Sequence, residues 1–262
     1  MPKNKPVIVI AAYGTAEPEA LHCLEALDIQ LCKRFAGYEV RWGILVDWLI
    51  KRFRKEGKVN LFARGEPIQG LADLYNELEA AGKTDAVVQG LLVHEGSVSD
   101  GVYEMPTGGL RVEFGKSLLD GGRNVNEVLT AVSPYFGGKD ELTILIGHGS
   151  KDEARANVPF QRMDSYLKQH YPNARMCMIH GSPSPDEVIP RIDTSRFRRV
   201  VFIPLMITAG EHVLHEVIAD DPKSWVSRLQ LPYKVAPSFS EIPAVVEIYC
   251  KSIEDALGRL KK

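Results

Sequence analysis

Seven short apolar runs, most of them rich in β-branched residues, alternate along this chain with longer amphipathic stretches. That alternation confines it to an α/β fold in which helices cover a mainly parallel sheet. Residues 6–12 (PVIVIAA) are apolar throughout, as a strand covered on both faces must be. A helix is expected over 17–35, where Leu21, Leu24, Leu27 and Leu31 recur at helical spacing, followed by a strand over 39–46 and a basic helix over 48–55. A further helix over 67–81 ends at Gly82, and 86–93 (AVVQGLLV) reads as a third strand. Residues 95–122 turn Gly-rich and read as an irregular excursion, a loop long enough to serve function. In the second half, strands are expected over 142–147, 174–179, 199–207 and 233–236. Helices are expected over 152–170, 185–194 and 242–260, and 211–229 is expected to be mostly helical.

The two halves read as copies of one plan. VIVIAAYGTAEPEA (7–20) matches LTILIGHGSKDEAR (142–155), with Tyr13 over His148 and Gly14 over Gly149, and GLLVHEG (90–96) matches PLMITAG (204–210). The offset is 135 residues at the first match and 114 at the second, so the first half holds about 21 extra residues. The helix at 48–55 and its loop can supply them. Two similar α/β lobes are expected, 1–137 and 138–262, the second carrying the histidine site. An active-site cleft between them would place ligands at the carboxyl ends of strands.

Composition narrows the partners. With 32 basic and 34 acidic side chains in 262 residues, the formal net charge is −2, which gives no electrostatic case for nucleic acid or an anionic membrane. No apolar run approaches the roughly 18–20 residues that span a bilayer. The first apolar run is short and β-branched, with Gly14 and acidic residues after it instead of a cleavage site, so a cytoplasmic location is expected. The same feature argues against a secreted two-lobed binding protein. Cys23, Cys32, Cys177 and Cys250 make neither a CxxC pair nor a disulfide framework. GTAEPE is no phosphate loop, and GxGxxG and GxSxG are missing, so no nucleotide cofactor is expected. Lys51, Arg52, Arg54 and Lys55 read as a solvated helix face, with a rim for a polycarboxylate as the sharper alternative. The sequence leaves room for a homo-oligomer.

Three histidines follow strands of the second half closely: His148, His180 and His212. In a parallel sheet they share one carboxyl edge, and imidazole is both the commonest metal ligand and the commonest general base at neutral pH. His148 lies in GHGS, where Ser150 reads as the N-cap of the next helix. In AGEHVLHEV, His212 and His215 stand three apart without the internal Glu of HExxH, which argues against a zinc-protease reading. His215 is expected on a helix face beside the site.

Taken in order, these motifs resemble the class II tetrapyrrole chelatases, and among them the anaerobic sirohydrochlorin cobaltochelatases of cobalamin biosynthesis. The resemblance rests on the strand ending Tyr13-Gly14-Thr15, the strand ending Ile146-Gly147-His148-Gly149 and, most specifically, PLMITAGEHVLHEVIADDPKSW (204–225). It implies lobes with four-stranded parallel sheets. It also implies ATP-independent insertion of a divalent metal, Co2+ foremost with nickel or iron as alternatives, into sirohydrochlorin or a related tetrapyrrole. His148 and His212 fall on the family's metal-binding, proton-accepting histidines. Tyr13, Gly14 and Thr15, with His94, Glu95 and Gly96, are expected to contact the tetrapyrrole, and the loosely similar stretch 96–115 to adjust specificity. Where the family carries a strand-end glutamate, this chain has His180. The expected metal set is therefore His148, His180 and His212, a site that would weaken below about pH 6 as imidazoles protonate. The competing reading takes a carboxylate from Glu187 or Glu95 and turns His180 to solvent. A non-catalytic tetrapyrrole or metal carrier could use the same histidines.

Overall fold

In a computed structural model, which describes residues 5–122 and 124–262, the chain forms two four-stranded parallel sheets flanked by helices. The chain divides into two compact units, Met1–Leu118 with Val246–Lys262, and Leu119–Val245.

In the first unit, β1 (Val7–Ala12) is buried along its whole length and pairs in parallel with β2 (Val40–Ile44) and β3 (Asp85–Gly90). β4 (Arg111–Phe114) extends the sheet beyond β3, giving the order β2-β1-β3-β4. Helix α1 (Pro18–Arg34) follows β1, and α2 (Asp47–Lys55) and α3 (Leu71–Ala80) lie between β2 and β3 in the chain. Val7, Val9 and Ala11 present one face of β1 to Leu71, Leu74 and Leu78 of α3 and to Val102 of α4 (Ser97–Tyr103). Ile8 and Ile10 on the other face are equally buried, which is why this strand is apolar at every position. The loop after α2 is pinned by two buried carboxylates. Asp28 accepts the indole N–H of Trp42 at 2.7 Å and pairs with Arg64, and Glu66 accepts the Trp42 backbone N–H at 2.8 Å.

The second unit opens with α5 (Val125–Val132) and β5 (Glu141–Gly149), then α6 (Ala154–His170), β6 (Ala174–His180), α7 (Pro185–Val188), β7 (Arg199–Pro204), α8 (Trp225–Leu229) and β8 (Tyr233–Val235). Its sheet has the order β6-β5-β7-β8, the order of the first sheet repeated strand for strand. Leu142, Ile144 and Ile146 of β5 pack with Cys177, Val200, Phe202, Trp225 and Leu229 in its core. The closing helix α9 (Pro243–Leu260) runs back into the first unit, where Arg259 meets Glu113 at 2.7 Å and the Tyr249 hydroxyl donates to the Leu92 carbonyl at 2.9 Å. The sheets thus fall within 1–137 and 138–262, while the compact units part after Leu118 and α9 belongs mostly with the first.

Two expectations are corrected. The stretch 95–122 is not irregular throughout: it holds α4 and β4, whose Tyr103 and Phe114 rings meet edge to face at 5.3 Å. β4 is a four-residue edge strand with two charged residues, too short and polar to show a period. Residues 211–229 are mostly helical, as expected, but in two pieces, because Asp221 and Pro222 part a π turn at Val213–Val217 from the short α8, which Ser224 caps. The helix expected over 185–194 ends at Val188, with Pro190 in the 3-10 turn beyond it. No helix among the described residues is long and apolar enough to cross a membrane. All four cysteines are free thiols.

Candidate metal centre

The carboxyl edge of the second sheet gathers the three expected histidines. β5 carries His148 as its penultimate residue, and its neighbour β6 ends at His180. The parallel register pairs Gly149 with His180, bringing the two strand ends to one level. On the other side of β5, the chain leaves β7 with the Leu205 N–H donating to the Ile146 carbonyl at 2.8 Å. Met206 and Ile207 then accept from the N–H groups of Phe239 and Ser240, holding the segment that leads to His212. The ring centroids lie 5.1 Å apart for His148 and His180, 4.8 Å for His148 and His212, and 5.6 Å for His180 and His212. One ring nitrogen from each falls within 4.8 Å of the others, the one such group of His, Cys, Asp or Glu among the described residues. Nitrogens bound tetrahedrally at about 2.1 Å to one ion lie about 3.4 Å apart, so the rings would turn inward by up to about 1.4 Å to close on an ion.

The ring nitrogens differ in what holds them. His148 Nδ1 lies 2.9 Å from the Gly149 carbonyl and His212 Nδ1 lies 2.5 Å from Glu216 Oε1. Carbonyl and carboxylate oxygens only accept, so both Nδ1 atoms carry a proton, and in the neutral ring that tautomer places the lone pair on Nε2. His180 Nδ1 is buried and has no hydrogen-bond partner. His148 is exposed and the other two are half-buried, so ions in solution can reach the group.

Two supporting residues escaped the sequence reading. Asn157, buried on α6, accepts the Ser150 N–H with Oδ1 at 2.8 Å and donates from Nδ2 to the Ser150 carbonyl at 2.7 Å, clamping the turn after His148. A polar residue between the buried Ala156 and Phe160 was the available signal. Glu216, four residues after His212, was visible only as spacing. His215 is exposed, and it is Glu216 that supports His212. Ser150 is not the N-cap of α6. That place belongs to Glu153, whose N–H donates to the Ser150 hydroxyl at 3.1 Å. Glu187 is not in the histidine group either. Its carboxylate accepts from the Ser184 N–H at 2.7 Å and the Ser182 hydroxyl at 2.8 Å, and these bonds hold its carboxyl below the usual range.

The residues expected on the tetrapyrrole belong to the first unit, at the carboxyl ends of the adjacent strands β1 and β3. Tyr13 is 47% exposed, Gly14 has φ +85°, and the Thr15 hydroxyl accepts the Glu17 N–H at the start of α1. His94 Nδ1 donates to the Glu95 carbonyl at 3.0 Å, and Gly96 exchanges hydrogen bonds with Ser99. The basic residues Lys51, Arg52, Arg54 and Lys55 are exposed on α2, with Arg52 paired to Glu56.

Residues 6–258 match the family model described as cobalt chelatase (CbiK). The chain belongs to that family. It is 24% identical over 239 residues to the sirohydrochlorin cobaltochelatase CbiKC of Nitratidesulfovibrio vulgaris, covering 88% of this chain and 81% of the relative. With the sirohydrochlorin cobaltochelatase of Salmonella typhimurium it shares 23% identity over 221 residues, 80% of each chain. Among solved structures it is similar to SirB from Bacillus subtilis with Fe3+, at a TM-score of 0.59 and 14% identity, covering 98% of this chain and 97% of that one. The likeness to SirB carries the chelatase-like fold, and the three histidines form a group that could hold a metal ion.

Proposed function

We propose that this chain inserts Co2+ into sirohydrochlorin or a closely related tetrapyrrole, without a nucleotide and in the cytoplasm. The observation that carries the reading is the convergence of three imidazoles at one sheet edge in a member of the cobalt chelatase family. The names of the two curated relatives supply the macrocycle. Insertion exchanges one divalent cation for two pyrrole protons, so charge balances but both protons need acceptors near the macrocycle centre. His148 and His212 take that role, their Nε2 lone pairs first holding the aquated cation and then accepting protons as it leaves. His180 completes the metal-holding set. Neutral imidazoles hold such an ion less firmly than thiolates do, and no cysteine belongs to the cluster. Tyr13, Gly14, Thr15, His94, Glu95 and Gly96 are assigned to the tetrapyrrole, with backbone N–H groups and local cations meeting its carboxylates.

The test is an anaerobic metallation assay with sirohydrochlorin and Co2+, followed by the absorbance change of the macrocycle, with Fe2+ and Ni2+ in competition. Turnover with Co2+ preferred is expected. A protein that binds the tetrapyrrole but leaves metallation at its uncatalysed rate is a carrier, which would end the proposal.

A further inference from the structure

The histidine cluster is asymmetric, and the asymmetry singles out Glu216. Among the described residues, the Nδ1 of His148 meets the Gly149 carbonyl, that of His180 is buried without a hydrogen-bond partner, and that of His212 meets the carboxylate of Glu216. The local fold makes this contact. The N–H of Ile218 donates to the carbonyl of Val213, a five-residue step that widens the turn. Val213 and Val217 are buried and root this turn in the core. Their preceding neighbours, His212 and Glu216, are thereby set side by side on the outer face, 34% and 44% exposed.

An exposed pair of this kind adds little to folding stability. Its chemical consequence is larger. An ionised carboxylate cannot donate, so it fixes the His212 proton on Nδ1 and the ring in one orientation, with Nε2 presented bare. A charge-assisted hydrogen bond at this distance also makes Nε2 a better electron donor to a cation. Without it the ring is free to flip or to change tautomer, and part of the population would turn an N–H toward the metal.

We propose that Glu216 is a positioning residue of the metal centre, holding His212 as the Nδ1–H tautomer so that Nε2 receives the divalent cation. The role in turnover rests on the chelatase reading above, whereas the tautomer and the binding of metal alone do not.

The experiment separates them. In metal-free, 15N-labelled protein at about pH 8, where imidazoles are neutral, long-range 1H–15N spectra report which nitrogen of His212 is protonated. The wild type should show a protonated Nδ1. Glu216→Ala should shift His212 toward the Nε2–H form, and Glu216→Gln, whose amide oxygen can still accept, should retain the wild-type tautomer. Titration with Co2+ alone, read from its visible absorption, should show binding weakened at least about tenfold in Glu216→Ala and by less in Glu216→Gln. The thermal midpoints of all three proteins should agree, which rules out a merely structural effect. A wild-type His212 protonated on Nε2, or Co2+ affinity in Glu216→Ala equal to wild type, overturns the proposal. If sirohydrochlorin is not metallated but these signatures hold, the chelatase reading fails and the positioning role stands.

Discussion

Gly149 approaches His180 so closely across the β5–β6 pairing that a β-carbon on Gly149 would overlap the His180 carbonyl oxygen. The same glycine has φ +66°, a conformation that side chains other than glycine's rarely adopt. Both constraints act at the point where the strand ends bring His148 and His180 together. Gly149→Ala must therefore push the strand ends apart and strain the backbone at once. A loss of about 2–4 kcal/mol is expected in urea unfolding, with Co2+ binding weakened in the folded fraction. Wild-type values for both would mean that the close approach does not hold the cluster.

Much of this edge was legible in the sequence because its signals are local. β5 through His148 is a buried β-branched run ending in glycines, and parallel pairing does the rest. The repeated strand order likewise follows from the Gly14 and Gly149 matches, and both residues adopt positive φ. What was not legible depends on tertiary contact. β4 (RVEF) has no apolar period and earns its place only by pairing with β3. The π turn at Val213–Val217 looks helical in sequence, where residues three and four on both neighbour His212, and only the structure shows that Glu216 makes the contact. Asn157 reads as an ordinary helix residue until the Ser150 backbone is seen against its amide.

His148 and His212 carry the proposed proton-accepting role, and each has its Nδ1 against an accepting oxygen. Replacing either with Ala should lower the metallation rate at least about tenfold, the lower range for loss of a positioned base or ligand. Steady-state rates with Co2+ and sirohydrochlorin, alongside circular dichroism to confirm folding, measure this. Two folded single variants with full activity would remove both residues from the mechanism.

Acid should weaken the second unit at its amino edge. Glu141 is buried at the start of β5, and burial alone would raise its pKa. The Gly138 N–H, Arg199 and Arg198 outweigh that effect and hold the carboxyl below its ordinary value. A depressed carboxylate contributes stability above its unfolded pKa of roughly 4.3, and that contribution is lost as pH falls through the folded value. Glu141→Gln should thus cost on the order of 1 kcal/mol at neutral pH and flatten the fall in stability below about pH 4.5. Unfolding free energies for both proteins from pH 7 to about pH 3 check the sign. A loss that grows as pH falls would contradict it.

His180 is where this chain departs from the carboxylate that its resemblance implies, and its ring is held least. Its Nδ1 is buried with no hydrogen-bond partner among the described residues, so no hydrogen bond at that atom orients the ring toward His148 and His212. A buried polar atom without a partner is costly, and an ion shared with two other imidazoles would give the ring a role that solvent does not. If His180 is a ligand, His180→Ala should weaken Co2+ binding at least about tenfold, because one of three donors is gone. His180→Glu should keep a third donor but exchange a neutral nitrogen for a charged, harder oxygen. That variant should still bind Co2+ and shift its relative preference away from Ni2+ and toward Fe2+. Competition titrations of the three proteins with Co2+, Ni2+ and Fe2+ under anaerobic conditions read both quantities. Unchanged affinity in His180→Ala together with an unchanged metal order in His180→Glu would put His180 outside the metal set and leave a two-histidine centre.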